Sequence, residues 1–240
     1  MGGFMKRLLL FLSLCFTCTV AIAHTINWYV DGSIYHTTTC ESGDDVTPPT
    51  APEKYGYTFN EWRPYLHRIE YLESTGSETI DTEFIPTLDI KIITEVTLLT
   101  MSGNGVCGNV WQAYTPTLIF ISGGGARWHL CESGSMESAP IAIGSTINIE
   151  ATNGSLIIND TVYTGLKQTQ SIPTSTFKVF FRPGRIQVKY FKIYDKNILV
   201  RDLIPVIDIN GVPCMYDKVH GKLYYNSGSG NFLTGPIIGE

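Results

Sequence analysis

An aromatic and polar set near the middle of the chain holds the residues with the most chemical promise. Rings lie there beside amide, guanidinium and carboxylate groups, at Trp111, Gln112, Tyr114, Arg127, Trp128 and Glu132. Sugars bind when their C–H faces stack on aromatic rings while polar side chains reach their hydroxyls. The set therefore predicts a ligand-binding site for a glycan. The competing interpretation places Trp111 and Trp128 in a core between two sheets.

Residues that could catalyse a reaction are harder to find. A glycosidase needs two carboxylates facing one cleft, about 5 Å apart in retaining enzymes and further in inverting ones. Glu70 and Glu73 are at odd spacing, which puts them on opposite faces of a strand, and Asp202 and Asp208 are six residues apart. The chain has no Gly-x-Ser-x-Gly nucleophile motif, and no Lys-Ser/Thr pair follows Gly123-Gly-Gly125, which is typical of a hairpin turn. We expect a non-enzymatic protein, with a glycoside hydrolase or lyase as the alternative.

Metal-binding signals are equally sparse. The five histidines are scattered singly, with no HxH or HExxH motif, and the four cysteines after residue 23 form no CxxC pair. Calcium prefers clustered carboxylate, amide and carbonyl oxygens. Asn159-Asp160 and Asp208-Ile-Asn210 could supply such oxygens, but both are also typical of turns. We predict no cofactor, and bound calcium stays open as the alternative.

The first 23 residues have the features of a secretion signal. Lys6 and Arg7 precede an apolar run that ends on Ala21-Ile22-Ala23, a small-x-small cleavage pattern. The run spans about 15 residues, whereas a bilayer helix needs roughly 20. We predict cleavage between Ala23 and His24, a secreted, cell-surface or periplasmic product, and no membrane span once the signal is removed. A transmembrane anchor is the alternative.

Composition and charge limit the classes of partner that this protein could bind. With 43% hydrophobic and 16% charged residues, the chain is too apolar for a disordered protein. It carries 17 basic and 22 acidic residues and no basic run, so we expect no nucleic-acid partner. A glycan or another cell-surface molecule is the expected partner.

The cysteines left after signal removal are Cys40, Cys107, Cys131 and Cys214. An oxidising compartment favours disulfides, and four cysteines can pair in three ways. Cys107 and Cys131 close the shortest loop and lie on neighbouring candidate strands that are joined through residues 117–122. We therefore predict a bond between these two, with buried free thiols as the alternative.

The elements that must position all these residues are strands. Twenty-three glycines, 12 prolines and 12% aromatic residues favour turns and pleated strands over helices. Alternation and turn residues predict strands at 68–73, 78–82, 90–100, 105–111, 117–122, 126–132, 146–152, 155–159, 161–164, 176–181, 186–194, 198–207, 213–216 and 222–226. Asn153-Gly154 marks the clearest hairpin. Tyr190, Phe191 and Tyr194 alternate imperfectly along one strand, and we expect them in the core.

The segment after the signal has its own pattern. Ile26 to His36 alternates around Asp31-Gly32, which predicts a tight hairpin, and prolines then keep the chain extended. The segment resembles the Listeria–Bacteroides repeat of bacterial surface proteins at Gly32, Gly43, Val46, Pro52 and Gly56-Tyr-Thr-Phe-x-x-Trp62. This resemblance implies a partial, β-grasp-like spacer or adhesive module over residues 24–66, without chemistry of its own.

Residues 67–240 resemble the concanavalin A-like, laminin-G-like jelly-roll domains of bacterial surface and phage tail proteins. The resemblance is carried by Ile69-Glu-Tyr-Leu-Glu-Ser-Thr-Gly76, Ile80-Asp-Thr82, Phe191-Lys-Ile-Tyr194, Leu199-Val-Arg-Asp-Leu-Ile-Pro205, Gly211-Val-Pro-Cys-Met-Tyr-Asp217 and Tyr225-Asn-Ser-Gly228. It implies a lectin-like fold without fixing a ligand.

The sequence thus predicts an all-β protein, an antiparallel two-sheet jelly-roll sandwich with a small N-terminal β-grasp-like segment. Many short strands with frequent turns and no long helical period support this fold class. The expected function is adhesion or glycan binding by an exported bacterial protein. A purely structural surface or phage-tail-like module is a further alternative.

Overall fold

The computed structural model describes residues 23–30, 33–41, 46–59, 66–100, 104–109, 117–122, 125–130, 136–164, 174–181 and 184–238. The chain divides into two compact units, Met1–Trp62 and Arg63–Glu240. The described residues form strands and turns but no helix, and the strands pair in antiparallel sheets, so the predicted all-β class is confirmed. Within these ranges, accordingly, no helix is long and apolar enough to cross a membrane.

The first unit contains a hairpin. Strand β1 (Ala23–Val30) pairs with β2 (Ser33–Glu41), and the Trp28 indole N–H donates to the Thr38 hydroxyl at 2.9 Å. The antiparallel pairing confirms the predicted strands, although the turn residues Asp31 and Gly32 lie outside the described residues. An isolated two-stranded hairpin is marginally stable in water.

That segment, residues 46–59, has no strand in the structure. Its prolines supply no backbone N–H and hold the chain extended, which is why it does not add to the hairpin ladder. It contains one tight turn, in which the Tyr57 N–H donates to the Lys54 carbonyl at 3.1 Å and Gly56 adopts a φ of 80°. The Lys54 ammonium lies 4.7 Å from the centroid of the Tyr57 ring.

The second unit contains two antiparallel sheets. In spatial order, the described strands of the smaller sheet are β10 (Met136–Glu137), β9 (Gly125–Leu130), β8 (Thr117–Ser122), β7 (Asn104–Gly108), β14 (Lys178–Val179) and β5 (Ile80–Asp81). The main path of the larger sheet is β13 (Thr161–Thr164), β12 (Ser155–Ile158), β11 (Thr146–Ala151), β6 (Ile90–Leu98), β15 (Ile186–Asp195), β16 (Ile198–Ile207), β17 (Pro213–Asp217) and β18 (Lys222–Tyr224). Strand β3 (His67–Arg68) pairs with β16, and β4 (Leu72–Ser74) joins β15 to β19 (Leu233–Thr234).

Both sheets contribute to one hydrophobic core. Residues of β6 alternate strictly between buried and half-buried, so Ile92 and Val96 face inward while Ile93 faces outward. The inward residues of β6 belong to the same buried cluster as Ile119 and Ile121 of the smaller sheet. Alternation of this kind gives each sheet one core face and one solvent face.

Most predicted strands have a counterpart in the structure. The Asn153-Gly154 hairpin is confirmed, because β11 and β12 pair with Ala151 opposite Leu156. The predicted strand 68–73 is wrong as one element, since it divides into β3 and β4 around an isolated bridge at Ile69. The short strands β10 and β19 were not predicted, because two residues carry too little alternation to detect.

Candidate functional site

The structure separates the predicted ligand-binding set. Trp111, Gln112, Tyr114 and Glu132 lie outside the described residues. Arg127 is half-buried in β9, and its neighbour Trp128 is 0% exposed. The Trp128 indole N–H donates to the Thr152 carbonyl at 2.7 Å, and the ring belongs to the core cluster. Trp128 is therefore a core residue, as the competing interpretation proposed. A fully buried ring has no face on which a sugar could stack.

The structure describes three of the four cysteines that follow residue 23, namely Cys40, Cys107 and Cys214. The structure describes Cys107 as a free, fully buried thiol, and burial raises its pKa. Cys131 lies outside the described residues. Strand β8 separates β7, which carries Cys107, from β9, which ends at Leu130. Because Cys131 lies outside the described residues, the Cys107–Cys131 bond stays a prediction, with free thiols as its alternative.

The carboxylates that could suggest catalysis have structural partners. Glu70 forms an ion pair with Lys189 at 3.5 Å. Glu73 is buried, and its two oxygens accept hydrogen bonds from Arg185 and Gln187. Both Glu73 oxygens are thus bound to donors, and these bonds stabilise the contact between β4 and the start of β15.

Asp208 has a similar role in a turn. Its Oδ1 accepts from the backbone N–H groups of Asn210 and Val212 at 2.9 and 2.8 Å, and its Oδ2 accepts from the Tyr225 hydroxyl at 2.9 Å. Burial alone would raise the Asp208 pKa, but these donors outweigh it and lower the pKa. A carboxylate so fully engaged by N–H and O–H donors has little capacity left for calcium.

The second calcium candidate is also a turn. Asn159 and Asp160 adopt positive φ angles of 45° and 68° between β12 and β13. Such angles suit a two-residue hairpin connection, in which Asn and Asp are favoured. Across the described ranges as a whole, no cluster of three or more His, Cys, Asp or Glu residues is placed to hold a metal ion.

A pocket on the outer face of the larger sheet brings together residues that the sequence does not place side by side. We call it the sheet-face pocket; its volume is about 260 Å³. Two rings, three cations and one carboxylate line it: Tyr190, Tyr194, Arg68, Lys192, Lys218 and Asp202. Ile93 and Ile204 supply the apolar part of its lining.

A bulge in β15 explains why its tyrosines face outward. The pairing of β15 with β6 shifts register between Val188 and Tyr190. One extra residue reverses the side-chain alternation, so Val188 and Phe191 are both buried. Tyr190, Lys192 and Tyr194 then share the outer face. Of the three aromatic residues expected in the core, only Phe191 lies there.

Asp202 lines the sheet-face pocket next to Lys192. On the sheet, Lys192 lies directly opposite Ile93 of β6 on one side and Asp202 of β16 on the other. Asp202 is only 7% exposed, and its Oδ2 accepts from the Lys218 ammonium at 2.8 Å. Its Oδ1 is buried and has no hydrogen-bond partner among the described residues. An unpaired buried oxygen of this kind costs about 1–3 kcal/mol, so a donor that reached it would be favoured.

The two tyrosines of the pocket are held in different ways. The Tyr190 hydroxyl donates to Asn148 Oδ1 at 3.3 Å, and burial together with the nearby Glu95 charge raises the Tyr190 pKa. The Lys91 ammonium lies 4.5 Å from the centroid of the Tyr194 ring. The pocket thus combines neutral aromatic rings with hydrogen-bonding cations, which suits a ligand that is ring-shaped and rich in oxygen.

No protein-family model matches this chain, and no curated protein matches it either. Function must therefore be inferred from the side chains that the structure brings together. The sheet-face pocket combines half-buried rings with convergent polar groups. Such a combination is the usual mark of a small-ligand site.

Proposed function

We propose that this protein is an exported, non-enzymatic surface protein whose second unit binds a glycan in the sheet-face pocket. The observation that carries the proposal is the pairing of Tyr190 and Tyr194 with charged groups in one pocket. Sugar rings stack on aromatic faces, and their hydroxyls bind cationic donors and carboxylate acceptors. The pocket offers both kinds of contact on a rigid sheet.

The fold supports this function as a scaffold. We propose that residues 67–240 form a concanavalin A-like jelly roll, consistent with two antiparallel sheets that share one core. We further propose that residues 24–66 are a partial surface repeat acting as a spacer. A fold by itself hosts many functions, so the ligand assignment depends on the pocket and not on the resemblance.

The proposal can be tested with two single variants. Tyr190→Ala and Tyr194→Ala each remove one ring from the pocket. A glycan array on the mature protein identifies a ligand, and titration calorimetry then measures its affinity. We expect each variant to weaken binding at least about tenfold, which corresponds to about 1.4 kcal/mol. Both side chains are only half-buried, so the thermal unfolding midpoints should change little.

Tyr55→Ala is the matched control, because Tyr55 is fully exposed in the first unit. It should leave affinity unchanged. Wild-type affinity in both pocket variants would contradict the assignment of the site, and an array without any binding would contradict the glycan-binding function itself.

A further inference from the structure

A second pocket lies at the end of the larger sheet, beside the turn that joins β15 to β16. We call it the sheet-end pocket; its volume is about 380 Å³. Its polar lining comes from the start of β6 and the turn before it, and from two other turns, and includes Asp89, Lys91, Thr152, Asn153, Lys196 and Asn197. Lysines and amides at such a position can bind carboxylate and hydroxyl groups.

The two pockets are neighbours at the end of β15, where a residue of one contacts a residue of the other. Lys91 lines the sheet-end pocket, and its ammonium lies 4.5 Å from the centroid of the Tyr194 ring, which lines the sheet-face pocket. Lys91 and Tyr194 are also direct cross-strand partners. From Tyr190 to Asp195, the last residue of β15, the strand advances five residues, or about 17 Å at 3.3 Å per residue. That length exceeds one sugar ring several times over.

The combined surface is cationic, whereas the chain as a whole is acidic. The described residues that line the two pockets include five lysines and arginines but only two aspartates. The whole chain has 17 basic and 22 acidic residues. One of the two aspartates, Asp202, is paired with Lys218 at 2.8 Å. Glu95, which lies opposite Tyr190, is paired with Lys189 at 2.9 Å.

Building on the proposed glycan-binding function, we propose that the two pockets form one elongated site for an acidic polysaccharide that runs along β15. Tyr190 and Tyr194 stack the sugar rings. Lys192 binds acidic groups over the sheet face, and Lys91 and Lys196 bind them at the sheet end. An elongated ligand is favoured because a single sugar would fill only one of the two pockets. An acidic ligand is favoured by charge complementarity.

Oligosaccharides of defined length and charge test this inference. Calorimetry on the mature protein compares galacturonic acid dimers and hexamers with a neutral glucose hexamer, and also compares chondroitin sulfate oligosaccharides of the same two lengths. We expect at least one acidic hexamer to bind at least tenfold more tightly than its dimer and than the neutral hexamer. Raising the salt concentration should weaken that binding, because the contacts are charged.

Lys196→Gln tests the sheet-end pocket separately. It should weaken hexamer binding several-fold and leave dimer binding at the sheet face unchanged. The matched control is Lys222→Gln, which removes an exposed lysine that pairs with Glu83 at 2.6 Å. This control should bind both lengths as the wild type does.

The outcomes separate this inference from the function on which it rests. Equal affinity for dimer and hexamer, or for neutral and acidic hexamers, with loss of binding in Tyr194→Ala, would overturn the elongated acidic site and leave glycan binding in place. Equally tight binding of an oligothymidylate would also overturn it, because the surface would then attract any polyanion. The elongated acidic site would also be overturned if the wild-type protein bound neither acidic series. The glycan array tests the glycan-binding function separately.

Discussion

At the scale of single residues, Glu78 organises the loop between β4 and β5. Glu78 is 1% exposed, and its carboxylate accepts five hydrogen bonds from the four residues that precede it in the chain, Ser74 to Ser77. The shortest come from the Thr75 hydroxyl at 2.7 Å and the Thr75 N–H at 2.8 Å. Burial alone would raise the Glu78 pKa, but these donors outweigh it and lower the pKa from 4.5 to about 2.

This lowered pKa predicts a pH-dependent contribution to stability. The ionised carboxylate stabilises the fold fully above pH 4.5, and the stabilisation is lost as the pH falls from 4.5 towards 2. A shift of this size corresponds to roughly 3 kcal/mol. Glu78→Gln should therefore lower the free energy of unfolding by about that amount at pH 7. The reason is that the amide NH2 of Gln would face N–H and O–H donors in place of an accepting carboxylate oxygen.

Urea unfolding at pH 7 and pH 3 measures the Glu78 effect. The difference between wild type and Glu78→Gln should shrink at the lower pH. Glu53→Gln is the control, because Glu53 is exposed in the first unit, and it should behave as the wild type. An unchanged difference between the two pH values would show that the ionised form of Glu78 is not what stabilises the loop.

At the scale of elements, the close contact of β9 with the segment that follows β10 requires a glycine. Gly125 begins β9 with a φ of 122°, and a Cβ at this position would lie 2.4 Å from the Ser138 carbonyl oxygen and 2.7 Å from that of Ala139. Both oxygens belong to the backbone and cannot move aside cheaply. The predicted turn at Gly123-Gly-Gly125 is consistent with this arrangement, since Ser122 pairs with Gly125 across the hairpin.

Gly125→Ala should consequently destabilise the second unit by roughly 2 kcal/mol or more, through backbone strain and steric overlap. Gly154→Ala is a matched hairpin control, because no described atom lies within 4 Å of the Cβ it would add. Its effect should stay within about 0.5 kcal/mol. Thermal unfolding of both variants measures the contrast, and equal midpoints would contradict the close approach of Gly125 to Ser138 and Ala139.

Element-level prediction succeeded where the signal is local. The alternation of β6 and the turn residues Asn153-Gly154 each specify structure within a few residues, so strand and hairpin could be predicted. The β15 bulge could not be predicted from the sequence, because it is defined by the pairing of β15 with β6. Its one extra residue reverses the direction of every side chain after it. The spacing of Tyr190, Lys192 and Tyr194 at every second residue was the available signal for a shared face.

At the scale of the whole molecule, the export prediction concerns the N-terminus. The charge of Lys6 and Arg7, the apolar run and the Ala21-Ile22-Ala23 pattern predict cleavage by a signal peptidase. Expression in a secreting bacterial host should release a protein whose N-terminus, measured by mass spectrometry, is at or near His24. Changing Ala21 and Ala23 to bulky residues should block this processing. A cytosolic product that retains Met1 would contradict the prediction.

The sequence by itself determined the all-β class, most strand positions and the main turns, because these depend on alternation and turn chemistry between near neighbours. Only the tertiary structure decided which side chains meet. It buries Trp128 in the core and gathers Arg68, Lys192, Asp202 and Lys218 from β3, β15, β16 and the residue after β17. Arg68 and Lys218 are 150 residues apart in the sequence. Strand order and bulges bring such distant residues together. No local pattern carries that information.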